Sequence, residues 1–180
     1  GNGMCAILLA GFGGQGILFA GKQLVLAGMK SEKEVSWLPS YGPEMRGGTA
    51  NCTVCVSDKP IASPVGATCD ILVAMNGPSL EKFEGMLKPG GDLFINSSVV
   101  SIEPTRTDVN VHYVDTIGIA EHEVGNPKTA NMVMLGALLR TCDIVNVDTI
   151  DKTLEYKMTG SKAKLIPDNK KAIFAWQEDK

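Results

Sequence analysis

Met4-Cys5-Ala6-Ile7-Leu8-Leu9-Ala10-Gly11-Phe12-Gly13-Gly14-Gln15-Gly16-Ile17-Leu18-Phe19-Ala20-Gly21-Lys22-Gln23-Leu24-Val25 passes from an unbroken apolar run, through a cluster of glycines, into a helical pattern. An unbroken apolar run marks a strand covered on both faces. Beyond the glycines, Ile17, Gly21, Leu24, Val25 and Gly28 recur at helical spacing and predict a helix over about 14–29. Gly21 and Gly28 fall on its packed stripe, where each costs about 1 kcal/mol against alanine; close approach of the helix to a sheet is the reason to expect them there. Strand, glycine turn, helix is the opening unit of an α/β fold. Gly11-Phe12-Gly13-Gly14-Gln15-Gly16 then has two readings. Free N–H groups and roughly half a positive charge at the helix start suit a phosphate, or the glycines only let helix and sheet pack closely. A dinucleotide site also needs an acid about 20 residues on, ending the second strand. Lys33-Glu34-Val35-Ser36-Trp37 ends on Ser36 and Trp37 instead, with Glu34 in mid-strand.

The same alternation continues. Thr49 to Val56 reads as a strand closed by the turn Ser57-Asp58-Lys59-Pro60, with a hairpin-like return through Ile61-Ala62-Ser63-Pro64. Asp70 to Met75 is a second doubly buried strand. After Asn76-Gly77-Pro78-Ser79 a helix through Leu80, Phe83 and Leu87 is expected to stop before Pro89-Gly90-Gly91. Asp92 to Asn96 is a strand, Val109 to Val114 another, and Ile117 to Glu123 a short helix. Ala130 to Leu139 is apolar nearly all round, so it is either buried within the chain or covered by another subunit, a patch of that size being an interface mark if exposed. Two amphipathic helices, about 147–158 and 168–177 with Trp176 on the apolar side, complete the chain. The expectation is a single three-layer α/β domain with a mainly parallel, Rossmann-like sheet flanked by helices and right-handed crossovers. Ligands of such sheets bind beyond the carboxyl ends of the strands. Gly13, Asn76, Asn96 and Ser97 all fall there. Asn131, in the first turn of the apolar helix, is either a local cap-like contact or a ligand or interface group.

One loop stands apart. Ser40-Tyr41-Gly42-Pro43-Glu44-Met45-Arg46-Gly47-Gly48 holds a carboxylate, a guanidinium, an aromatic ring and three glycines in nine residues between two strands. No core needs that composition, whereas main-chain N–H groups and an Arg fork are suited to an anion; the alternative is a solvated surface turn.

The 180 residues suit one domain, and the net charge of −3 gives no basic field for nucleic acid or an anionic membrane. No apolar run reaches the ~18 residues of a spanning helix and no leader is evident, so the expected location is cytoplasmic; Gly1 to Gly3 ahead of Met4 read as a cloning remnant, leaving 4–180 as the domain. Cys5, Cys52, Cys55, Cys69 and Cys142 form an odd, scattered set expected to be reduced. Cys52 and Cys55 make a CxxC, but three residues apart on a strand they point to opposite faces and grip no common metal. Neither His112 nor His122 belongs to a ligand or nucleophile constellation, there is no GxSxG elbow, and no residue reads as a catalytic acid, base or nucleophile.

The glycine motif 11–16, Pro39 to Gly48, Ser63-Pro64 with Asp70 to Asn76, Asn96-Ser97-Ser98, and Asn126-Pro127-Lys128 with Asn131-Met132 together resemble the gamma subunit, or gamma domain, of 2-oxoacid:ferredoxin oxidoreductases, the group acting on pyruvate, 2-oxoglutarate, branched-chain 2-oxoacids and indolepyruvate. The likeness extends from Met4 over nearly the whole chain, and its length and the run 131–136 look most like the 2-oxoglutarate type. It implies the fold of domain III of pyruvate:ferredoxin oxidoreductase. It also implies a hetero-oligomer of alpha, beta and delta-type partners that decarboxylates a 2-oxoacid oxidatively, makes acyl-coenzyme A and reduces ferredoxin. Thiamine diphosphate, Mg2+ and 4Fe–4S clusters would lie in those partners, since this chain carries no motif for them. Its implied share is to bind coenzyme A and close the active site at the interface. The residues placed there by the likeness are Gly13, Gly14, Gln15, Gly16, Ser40, Tyr41, Glu44, Arg46, Gly47, Gly48, Asn76, Asn96, Ser97, Asn126, Lys128 and Asn131. Glu44 and Arg46 pair equally well with each other or across the interface.

Overall fold

The predicted strand–turn–helix opening folds as β1 (Met4–Phe12), a 3-10 turn (Gly13–Gln15) and α1 (Ile17–Lys30). A computed structural model of the chain describes residues 3–40, 49–62 and 66–178. The remaining strands are β2 (Glu34–Ser40), β3 (Thr49–Ser57), β4 (Cys69–Ala74), β5 (Leu87–Asn96) and β6 (Asn110–Val114). The helices are α2 (Gly77–Phe83), α3 (Thr116–Ile119), α4 (Ala130–Thr141), α5 (Ile150–Lys157) and α6 (Ile166–Ile173).

The six strands lie in the order β2-β3-β1-β4-β5-β6. β1, β4, β5 and β6 run parallel, while β3 lies antiparallel between β1 and β2. The sheet is thus mostly parallel, with an antiparallel β3 that the sequence pattern did not single out. Period-2 alternation divides its side chains between two cores. Ile7, Leu9, Ile71, Val73, Phe94 and Val114 face α1, α4, α5 and α6; Ala6, Leu8, Leu72, Ala74, Leu93 and Ile95 face α2 and its flanking loops. Cys52 lies in the first core and Cys55 in the second, as their spacing on a strand requires.

The two helix glycines of α1 sit where expected. A Cβ on Gly21 would lie 2.6 Å from Cys52 Sγ, and one on Gly28 would lie 2.5 Å from Val35 Cγ1. A third close approach is sharper, because a Cβ on Gly136 would lie 2.0 Å from the backbone oxygen of Ile173 where α4 crosses α6.

Several boundaries differ from expectation. Leu87 does not extend α2. A 3-10 turn (Glu84–Met86) intervenes and Leu87 opens β5, paired with Cys69. Arg106 Nη1 donates to the carbonyls of Glu84 and Leu87, each at 2.7 Å, which ties this turn to the segment ahead of β6. Ile61 and Ala62 form no strand, while Ser63 and Pro64 lie outside the described residues. The helix expected from Ile117 is a single α turn followed by a π-helical turn (Ala120–Val124). α6 starts two residues before Asp168, with Pro167 in its first turn, and ends at Ile173. Trp176 lies past that end because its groups are used elsewhere: its indole N–H donates to the Tyr113 carbonyl at 3.1 Å and its own carbonyl accepts from Arg140 at 2.7 Å. Finally, Met132 to Leu139 of α4 are buried within this chain. Of the two readings of that apolar helix, burial inside the domain is the observed one, and it supplies no exposed patch.

Candidate functional site

The carboxyl ends of β1, β2, β4, β5 and β6 all fall on one edge of the sheet, as their directions require. There a cleft of about 280 Å3 is lined by Gly14, Gln15, Gly16, Met75, Asn96, Thr116, Ile117, Pro127, Lys128, Ala130 and Asn131.

Its floor is a hydrogen-bonded brace. Gln15 Oε1 accepts from the Phe12 N–H at 2.8 Å and its Nε2 donates to the Met75 carbonyl at 2.9 Å, tying the ends of β1 and β4 together. Asn96 is 1% exposed; its Nδ2 donates to that same carbonyl at 3.2 Å, and its Oδ1 accepts from Thr116 Oγ1 at 2.8 Å and the Ser98 N–H at 3.3 Å. Asn76 caps α2, its Oδ1 accepting from the Ser79 N–H at 2.8 Å. A cap of this type replaces one of the donors' missing partners at a helix start.

The rim is set by Gly16 and Asn131. Gly16 adopts φ 73° and ψ 27°, the left-handed region that favours glycine. A Cβ there would lie 2.4 Å from Asn131 Nδ2, which donates to the Gly16 carbonyl at 3.4 Å. α1 therefore begins directly at the cleft, presenting its positive end. Asn126 caps the turn carrying Lys128, accepting from the Lys128 N–H at 3.0 Å while its Nδ2 donates to Asp168 at 3.0 Å.

Of the residues singled out in the sequence, Gly14, Gln15, Gly16, Asn96, Lys128 and Asn131 come together around the cleft. Asn76 and Asn126 stand just behind as caps, Gly13 lies in the turn, and Ser97 is exposed at the end of β5, its N–H donating to the Val114 carbonyl at 3.0 Å. Ser40 ends β2 opposite Asn51. Tyr41, Glu44, Arg46, Gly47 and Gly48 lie outside the described residues; the chain leaves Ser40 and returns at Thr49, which pairs with Phe12, so both flanks of that segment stand at the glycine-turn edge. Thr116 and Ile117 were missed by the sequence reading. They directly follow β6, and the rule that ligands sit beyond strand carboxyl ends already pointed at that position.

No carboxylate, thiol or imidazole lines the cleft among the described residues. With a helix start, polar amides and one ammonium, it is equipped to hold an anion and not to move protons. A larger cleft of about 400 Å3 at the opposite sheet edge includes Cys5, Asp70, Lys88, Asp92 and Cys142. Burial first, then the Asp70 carboxylate for Cys5 and Asp92 for Cys142, pushes both thiols up to about 12. They stay protonated at neutral pH, so size does not make that cleft a reactive one. Among the described residues no His, Cys, Asp and Glu group suits a metal ion, and no helix is long and apolar enough to cross a membrane.

A family model for pyruvate ferredoxin/flavodoxin oxidoreductase matches residues 6–175. The 2-oxoglutarate synthase subunit KorC of Methanocaldococcus jannaschii is 38% identical over 150 residues, covering 82% of this chain and 80% of its own length. The ketoisovalerate oxidoreductase subunit VorA of Methanothermobacter marburgensis is 38% identical over 133 residues, 74% of this chain but 27% of VorA. The keto/oxoacid ferredoxin oxidoreductase gamma subunit from Geobacter sulfurreducens superposes with a TM-score of 0.83 at 29% identity, covering 95% of this chain and 93% of that one. The 2-oxoglutarate:ferredoxin oxidoreductase from Magnetococcus marinus, solved with 2-oxoglutarate, coenzyme A and succinyl-CoA bound, gives 0.83 at 26% identity over 96% of this chain and 30% of that longer one.

Proposed function

The chain belongs to the pyruvate ferredoxin/flavodoxin oxidoreductase family, and from that premise we propose that it is the gamma subunit of a cytoplasmic 2-oxoacid:ferredoxin oxidoreductase that makes acyl-coenzyme A. Its own task is to hold part of coenzyme A at the Gly14–Gly16 cleft and to close the active site where alpha, beta and delta-type subunits meet it. The observation that carries the reading is the joint presence, on one strand-end edge, of a helix start, the Gly16–Asn131 rim and Lys128, in a chain that matches four-fifths of KorC. The likeness to KorC over four-fifths of both chains favours 2-oxoglutarate as the oxoacid.

Thiamine diphosphate and 4Fe–4S clusters supply carbanion chemistry and electron transfer. The donor set here does not fit a cluster, because Cys52 and Cys55 face different cores, so those groups are assigned to the partners, with Mg2+. Tyr41, Glu44, Arg46, Gly47 and Gly48 are assigned as ligand or interface groups, as are Ser40 and Ser97.

The test is affinity purification of the chain with its native partners, followed by coenzyme A-dependent viologen reduction with a panel of 2-oxoacids. Co-eluting iron–sulfur partners and reduction with one oxoacid are expected. Elution without partners and without activity defeats the proposal.

A further inference from the structure

The two helices that begin at the ligand cleft, α1 and α4, end together a helix length away, about 20 Å, at a cleft of about 830 Å3. Leu139, Val145 and Phe174 supply its apolar part, and Lys30, Glu32, Arg140 and Asp143 its charged part. Phe174 is 48% exposed, with the Arg140 guanidinium 5.7 Å from its ring centroid.

Glu32 is the anomaly in this cleft. The Lys33 N–H donates to the Gly28 carbonyl at 2.9 Å and the Glu32 N–H to the Met29 carbonyl at 3.1 Å, a helix ending whose central residue takes left-handed backbone and is usually glycine. Glu32 has φ 60°, the one non-glycine residue with positive φ among those described; the others are Gly3, Gly16, Gly90, Gly125 and Gly160. A side chain kept where the backbone disfavours it points to a use for that side chain. Yet the Glu32 carboxylate has no hydrogen-bond or ion-pair partner among the described residues, nor have the Lys30 ammonium and the Asp143 carboxylate. Arg140 donates to a carbonyl, that of Trp176, and to no carboxylate. A free anion or an acidic protein would be met by an excess of cations. Two acids and two cations around an apolar centre are instead complementary to themselves, as a surface that meets its own copy about a two-fold axis has to be.

We propose that this cleft is a two-fold contact with a second copy of the chain, in which Glu32 and Asp143 of one copy meet Lys30 and Arg140 of the other around Phe174. The contact supplies the partner that Glu32 lacks within one chain, and it leaves both copies of the Gly14–Gly16 cleft open. It does not rest on the gamma-subunit reading.

The experiment measures the mass of the purified full chain by sedimentation velocity over a concentration series. Wild type is expected to pass from monomer to dimer, less readily in high salt. Glu32→Lys/Asp143→Lys and Lys30→Glu/Arg140→Gln each leave the unpaired charges of the cleft with one sign, and each should self-associate at least about tenfold more weakly; an equimolar mixture of the two should dimerise again. Glu32→Gly is expected to move two measurements in opposite directions, raising the urea midpoint of the monomer by relief of the left-handed strain while weakening the dimer. Glu32→Lys/Asp143→Lys replaces exposed side chains alone, so its self-association decides the matter even where the cation variant does not fold. Wild type that stays monomeric overturns the proposal, including the case in which the acid-reversed variant fails to join other subunits and the cleft belongs to one of them. Dimers indifferent to the acid reversal, or two folded variants that do not associate on mixing, overturn it as well.

Discussion

Gly16 is the residue on which the rim of the cleft depends. Adding a methyl group there meets two obstacles, a left-handed backbone worth about 1–2 kcal/mol against any L side chain and the Asn131 amide 2.4 Å away. Gly16→Ala is therefore expected to lower stability by about 2 kcal/mol, read from the urea midpoint, and to raise the KM for coenzyme A in the complex. A stable variant with unchanged KM would separate the rim from the ligand. The thiols make a second case. Burial pushes Cys52 and Cys69 up to about 11 and Cys5 and Cys142 up to about 12, and only the thiolate reacts. At pH 8 the buried Cys52 and Cys69 should label with a disulfide reagent at a rate set by unfolding, and the half-buried Cys5 and Cys142 slowly for want of thiolate; fast labelling of Cys52 or Cys69 in the native chain would contradict their burial. Residue types at strand ends were legible in the sequence, which is why Asn96 was singled out, whereas Gln15 came from the glycine motif that carries the family likeness. What each amide binds was not, because the Met75 carbonyl that both of them reach is a backbone atom brought there only by the folded sheet.

Elements were legible where one period dominates and less so where tertiary bonds end them. α1 declared itself by its stripe, and β4 by its apolar run. α2 gives way at Phe83 to a 3-10 turn whose Glu84 carbonyl accepts from both the Leu87 N–H and Arg106, and no local pattern encodes the second of those bonds. The crossing of α4 and α6 was likewise hidden, since Gly136 within an apolar helix has no signature of its own. Its Cβ would collide with a backbone oxygen at 2.0 Å, an obstacle that no side-chain rotation relieves. Gly136→Ala should separate the helices and cost about 3 kcal/mol or more, whereas Ala137→Gly on the same helix should cost about 1 kcal/mol; chemical denaturation distinguishes them. β6 and the segment after α6 form a pH-dependent contact. His112 is held between Asp92 at 2.9 Å and Glu178; burial lowers its affinity for the proton, but the two carboxylates outweigh this and raise it above the ordinary 6.5. A raised value means the contact contributes fully below about pH 6.5 and is lost as pH climbs through the folded value. Wild type should therefore exceed Glu178→Gln in stability at pH 6 and match it at pH 9, as measured by urea unfolding at both.

At the scale of the whole molecule the class was legible and the strand order was not. Alternating buried strands and helices dictate a layered α/β domain, but nothing in residues 49–57 states that they run antiparallel between the first two strands. That placement has a functional consequence. In a dinucleotide fold the second strand lies beside the first, and its terminal acid reaches the ribose of a cofactor seated on the glycine turn. Here β3 separates them, moving the end of β2 about 10 Å from β1 at two strand spacings, and that end is Ser40, without a carboxylate. The glycine turn thus keeps a helix start suited to a phosphate, while the end of β2, where an acid would recognise a nicotinamide dinucleotide's ribose, is displaced and carries none. The purified chain should show no saturable binding of NAD or NADP by calorimetry at concentrations up to a millimolar, and the complex should not reduce either one in place of viologen. Tight NAD binding to the chain would mean that the glycine turn acts with a recognition group other than the end of β2, and it would make a free-standing dehydrogenase the better account of this domain.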